Sequence, residues 1–153
     1  MAWVGYNLQT DVESMVKLTS GDKKFTTASS PMTIAEVERF NLLSYNYINN
    51  SLRVKGVVVP VTDSDDMLEL SLINTYLTVE IVDTLRYKLM EGNREPTFAK
   101  RLGDMGRALL QRFVDGKEFF SANTTQGGFV GKIGLVDSTI ADEDPKFTMA
   151  YKW

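Results

Sequence analysis

The chain has 153 residues, 43% of them hydrophobic and 24% charged, with a formal net charge of −3. That is one domain's length, enough to bury a sizeable core, and the charge leaves no basic footprint for gripping a phosphate backbone. Cysteine and histidine are both absent, which removes disulfides, thiolate metal sites, imidazole acid–base chemistry and the Ser-His-Asp and Cys-His triads.

Residues 1–10 carry Trp3 and Tyr6 but no basic region leading into an apolar stretch, so no signal peptide is expected. A first, short helix is expected over about Asp11–Leu18, with Thr10 as its N-cap and Asp11 and Glu13 in the first turn. Val12, Met15 and Val16 form its apolar stripe. The polar stretch from Gly21 to Pro31 reads as a loop.

The second helix opens on Thr33 and Glu36, the S/T-x-x-E spacing of a capping box. Val37, Phe40, Tyr47, Ile48 and Leu52 follow at helical spacing, and Gly56 suits the C′ position. Val57 to Val61 contains Pro60 among four β-branched residues, so it reads as an extended loop or a short edge strand.

A third helix is expected over about Asp65–Met90, capped by Asp63 or Ser64. Leu68, Leu72, Thr75, Val79 and Val82 line one side of it; Leu70, Ile73, Leu77, Ile81 and Leu85 line another. Apolar on more than one face, it is the central element of a bundle. Glu69, Asn74, Glu80, Asp83, Arg86 and Lys88 interrupt it, so it is a buried helix and not a membrane span. The fourth helix, about Thr97–Asp115, places Phe98, Leu102, Met105, Leu109 and Phe113 in register. The fold class is therefore mainly α: a small antiparallel bundle of three longer helices and one short one, over residues 1–118.

Residues 119–153 follow a different pattern, an extended C-terminal arm. The helical period is lost, and glycines stand at 127, 128, 131 and 134. Apolar residues persist, Phe129 among them, and Phe147, Met149, Tyr151 and Trp153 alternate as in a strand with one apolar face. These five are the candidate partner-binding residues. Two readings of the arm stay open: it fills pockets or adds a strand on a partner, or it folds back on its own bundle.

The carboxylate clusters carry less. Asp63, Asp65, Asp66 and Glu69 lack the complete calcium-loop pattern and are explained by a helix N-terminus. Asp142, Glu143 and Asp144 read as a solvated charge run. Glu80 and Asp83 are the acid–base candidates worth naming, although single polar residues in such a helix more often pair with a cation. Gly127 to Gly131 does not match a phosphate-binding fingerprint. No catalytic residue, metal or cofactor is expected.

One resemblance runs through these elements. Asp11-Val12-Glu13, then Thr33-Ile34-Ala35-Glu36-Val37, then Ile48-Asn49-Asn50-Ser51-Leu52 and Gly56 to Val61, closing on Leu109 to Gly116, resembles the head–tail connector (adaptor) proteins of tailed bacteriophages. The likeness covers about residues 7–118. It implies a structural virion protein that forms a ring, commonly of twelve copies, under the portal protein. Such a ring sits in the virion neck, is assembled in the host cytoplasm, extends the DNA channel and presents a docking surface for the tail or its stopper. DNA is then only passing cargo, and no membrane is involved. C-terminal segments of the group often dock against the portal, a job that the arm from Phe120 to Trp153 fits. The alternatives are a head-completion stopper or tail-terminator protein, richer in β-structure, and a non-viral helical adaptor gripping a partner through its arm.

Overall fold

The computed structural model describes residues 3–20, 24–28, 32–90 and 97–115. Within them the protein is mainly α, with four helices packed together: α1 (Gln9–Ser20), α2 (Ile34–Val54), α3 (Ser64–Met90) and α4 (Thr97–Val114). The extended arm and the boundary at 118 lie outside the described residues.

Four of the helix ends have a local cause among the described residues. The first helix starts at Gln9, two residues earlier than the pattern suggests, so Thr10 is not its cap. Instead the Asp11 carboxylate accepts the Leu8 N–H at 2.8 Å, satisfying a donor that the helix leaves free. At α2 the Glu36 carboxylate accepts the Thr33 N–H at 2.7 Å and the Thr33 hydroxyl at 2.9 Å. Those bonds, the backbone one foremost, hold the Glu36 carboxyl below its usual pKa.

The same helix ends in a Schellman motif. The Gly56 N–H donates to Arg53 O and the Val57 N–H to Leu52 O, with Gly56 at φ 79°. Val57 and Leu52 then bury together in one cluster. Val57 makes a single β-bridge and residues 58–61 form a loop, so no edge strand is built there, and Val57 and Val61 turn into the core. Asp63 caps α3: its carboxylate accepts the Asp65 N–H at 3.1 Å, and its carbonyl accepts the Met67 N–H.

The third helix is the hub, packing against each of the other three. The early residues Leu70 and Ile73 share a core cluster with Ile48 and Leu52 late in α2 and with Leu110 and Phe113 late in α4. Val79 and Val82, further along, share a second cluster with Val12 and Val16 of α1, Val37 early in α2 and Leu102 early in α4. That order makes α2 and α4 antiparallel to α3. Fully burying each such side chain is worth about 1.5–3 kcal/mol.

Between the two apolar clusters lies a polar layer. The Asn74 amide donates to Asn7 Oδ1 at 2.6 Å and to Asn41 Oδ1 at 2.9 Å. Asn7 donates to Thr75 Oγ1 at 3.2 Å, the Thr78 hydroxyl lies 3.0 Å from Asn41 Oδ1, and Asn41 donates to Val4 O at 2.9 Å. All five side chains are buried. Gly5 lies against this layer: a Cβ there would come within 2.8 Å of both Asn7 Oδ1 and Asn74 Nδ2.

The fourth helix reaches α3 through small residues. Ala99, Gly103 and Gly106 are buried on its α3-facing side. A Cβ on Gly106 would sit 3.2 Å from Tyr76 Cβ, tighter than ordinary contact, and one on Gly103 would run into the Glu80 carboxylate. The glycines therefore set how near the two helices lie. The buried stripe is Ala99, Leu102, Gly103, Gly106, Leu110 and Phe113. Phe98 and Met105, expected in the core, are instead more than half exposed. Leu68 and Leu72 likewise leave the expected stripe and are exposed, because α1 begins too far along α3 to cover them.

The polar layer yields the first prediction. Asn41→Ala removes the acceptor for Asn74 and the donor to Val4 O inside the core, and should cost about 2–4 kcal/mol of unfolding free energy. Urea unfolding followed by circular dichroism reads it. A loss below about 0.5 kcal/mol, as at an ordinary surface site, would contradict the account.

Candidate functional site

The carboxylates singled out in the sequence are held by structure. Glu80 is gripped by Arg107 of α4 in a two-pronged ion pair, Nη1 to Oε2 at 2.5 Å and Nη2 to Oε1 at 2.8 Å. Arg107 also donates to Asp104 at 2.7 Å. Those two carboxylates, Glu80 first, raise the guanidinium's already high pKa further. Asp83 is fully buried, with Arg86 Nη1 at 3.9 Å, and the Arg86 guanidinium lies over the Phe25 ring. Glu80 and Asp83 are thus each engaged with a cation and do not face each other as an acid and a base.

Asp63 serves as the α3 cap, with Asp65 and Asp66 in the first turn, where negative charge complements the helix dipole. Among the described residues no three acidic side chains gather as a cation-binding group. No helix of the described residues is long and apolar enough to cross a membrane. The candidate partner residues Phe129, Phe147, Met149, Tyr151 and Trp153 lie outside the described residues, as do the glycine run 127–131 and the acidic run 142–144.

What the structure adds is a set of apolar surfaces. One is a groove of about 650 Å³ between the start of α1 and the first half of α3. Leu8 (66% exposed) and Leu68 (75% exposed) stand on it beside Leu72, Met67 and Tyr6, and its charged groups are Asp11 and Glu69. A second, of about 370 Å³, lies among α2, α3 and α4 and is lined by Leu43, Tyr47, Leu77 and Ile81, with the Glu80–Arg107 pair at its edge. Leu43 is 59% exposed and Tyr47 50%. The third surface is a stripe on α4, Phe98 (53% exposed) and Met105 (52% exposed), seven residues apart and so on one face.

Helix geometry places the last two on opposite flanks. At about 100° per residue, Met105 is roughly 160° from Arg107 around α4. The Arg107 flank borders the second groove, and the Phe98–Met105 flank turns away from it.

Sequence reasoning missed these surfaces because it placed Tyr47, Leu68, Leu72, Phe98 and Met105 in the apolar stripes of their helices and did not weigh Leu8 or Leu43. A usable signal was present: Gly103 and Gly106 are closer to the centre of the α4 contact stripe than Phe98 and Met105 are. Small residues at that spacing mark where a neighbouring backbone comes near.

Beneath the first groove, Tyr6 ties three elements together. Its hydroxyl donates to Asn49 Oδ1 at 2.5 Å and accepts the Val61 N–H at 3.0 Å, and its ring lies 5.0 Å from that of Tyr45. Burial pushes its pKa up to about 12.

No family model matches the sequence, and neither does a curated protein or a solved structure. The surfaces themselves carry the functional reading.

The Tyr6 site has a pH signature. The folded state keeps this proton to about 12 while an unfolded tyrosine releases it near 10. Above pH 10 the unfolded state therefore binds fewer protons, and stability falls as pH rises from about 10 towards 12. Urea midpoints measured from pH 9 to 11.5 should drop, and Tyr6→Phe should flatten that drop while lowering the midpoint at pH 8. An equal drop in both proteins would place the titration elsewhere.

Proposed function

We propose that this chain is a structural virion protein, the subunit of a head–tail connector ring that sits under a portal, lengthens the DNA channel and offers a docking surface to a tail or stopper protein. The observation that carries the ring is the pair of unlike apolar surfaces on opposite flanks of α4. One is concave, with Leu43, Tyr47 and Ile81; the other is convex, with Phe98 and Met105. A closed ring needs a head-to-tail contact, in which one patch of a subunit meets a different patch of the next. A two-fold dimer would need one self-complementary patch instead. Ridge-into-groove contact of α4 against the α2–α4 groove of a neighbour satisfies the head-to-tail requirement with residues already exposed.

Two further features support the reading. The elements on which the resemblance to connector proteins was read are present in that order: a short helix, a long capped helix, a Val-Pro loop, a long central helix and a closing helix. The net charge of −3 suits a wall past which DNA slides without sticking. The arm beyond α4, with Phe129, Phe147, Met149, Tyr151 and Trp153, supplies apolar residues for the portal.

Broken-face variants test the contact. Leu43→Asp should spoil the groove and Met105→Asp the ridge, leaving helicity unchanged, since both positions are exposed. Each variant alone should stay monomeric in sedimentation velocity. Mixed in equal amounts they should stop at a 1:1 dimer, because one intact groove then meets one intact ridge. A mixture that remains monomeric, or either variant assembling as the parent chain does, would contradict the head-to-tail contact.

A further inference from the structure

The groove between α1 and α3 has no part in the ring contact described above, yet it exposes apolar surface that something should cover. Its shape and charge select an occupant. Its floor follows α3 from Ser64 to Thr75, a length of about 17 Å at 1.5 Å per residue. Its charged lining groups are both acidic, Asp11 and Glu69. An occupant should therefore be a short extended peptide of about that length, with large apolar side chains on one side and positive charge to spare.

One segment of this chain meets each condition. Phe147, Met149, Tyr151 and Trp153 alternate with Thr148, Ala150 and Lys152, and Lys146 precedes them. Extended, Phe147 to Trp153 spans about 20 Å at 3.3 Å per residue, with its four large side chains on one face. The side chains of Phe147–Trp153 include one lysine, Lys152, and no carboxylate, and Lys146 stands just before them, the complement of Asp11 and Glu69.

The connection is also favourable. Phe113, near the end of α4, packs in the same cluster as Tyr6 and Met67, both of which line the groove. Because α4 runs antiparallel to α3, its last turn stands level with the first turns of α3, the end at which the groove begins. Residues 116–146 have a contour of about 100 Å, ample to return. A segment on the same chain also meets the groove at an effective concentration that a separate chain at micromolar concentration does not reach.

We propose that the groove between α1 and the first half of α3 is the docking site for the chain's own segment Phe147–Trp153. The inference concerns the isolated chain and stands apart from the connector reading. In the free protein the aromatic face is sheathed against its own domain, and any partner that uses the arm must first displace it.

The chain has no cysteine, so an introduced pair reports proximity cleanly. In the full-length chain at low micromolar concentration, Leu68→Cys with Tyr151→Cys should close under mild oxidation to a disulfide species that migrates as a monomer. Closure should be roughly tenfold or more faster than for Leu43→Cys with Tyr151→Cys, which samples the other groove. Leu72→Cys in place of Leu68→Cys gives a second reading of the same groove. Equal rates for the two grooves would overturn the proposal, because a merely adhesive arm meets both alike. Disulfide-linked dimers from the first pair would overturn it too, and would seat the segment in a second copy.

Discussion

The hydrogen bonds that Asn74 makes to Asn7 and Asn41 are the constraint on which the rest of the structure depends. They join α3, α2 and the segment before α1 at one level, between the two apolar clusters. Moving α2 by one turn would put Val37 or Tyr45 where Asn41 stands and strand the Asn74 amide in the core. An unsatisfied buried amide costs about 1–3 kcal/mol, a large part of the 5–15 kcal/mol by which domains are stable. Apolar clusters make the bundle stable, and the amide layer makes its register single.

Fixed register turns surface positions into fixed faces. With α2 locked on α3 by the amides, and α4 held near α3 by Gly103, Gly106 and the Glu80–Arg107 pair, Leu43 and Tyr47 stand at a set height beside Arg107. The Phe98–Met105 ridge then points away from them at an angle the fold determines. A subunit of the proposed ring would need such constancy, since a small error per contact prevents closure of a ring. Glu80 illustrates how one residue serves this role. In the sequence it is an acid interrupting an apolar helix; in the structure it anchors α4 and borders the groove.

Much of the fold was legible from residues alone. The Thr33–Glu36 box, Gly56 at the end of α2 and Asp63 before α3 each act through a local backbone interaction, so their positions carry over from pattern to structure. The burial assignments were less legible. Phe98, Met105, Leu68 and Leu72 have core chemistry but lie outside, while Asn41, Asn74 and Thr78 have surface chemistry but lie inside. Periodicity gives a helix its stripe but not the angle from which its neighbours approach. That angle comes from the amide layer and from the glycines, which are long-range features. The exposed apolar surfaces are made of the residues that this angle leaves uncovered.

The account's central claim is a ring built on a portal, and native mass spectrometry of the unmodified chain mixed with portal rings tests it most directly. The predicted result is a complex holding a defined multiple of this chain near twelve copies per portal ring, without partially filled species dominating. A chain that stays monomeric and leaves the portal's mass unchanged would contradict the connector reading.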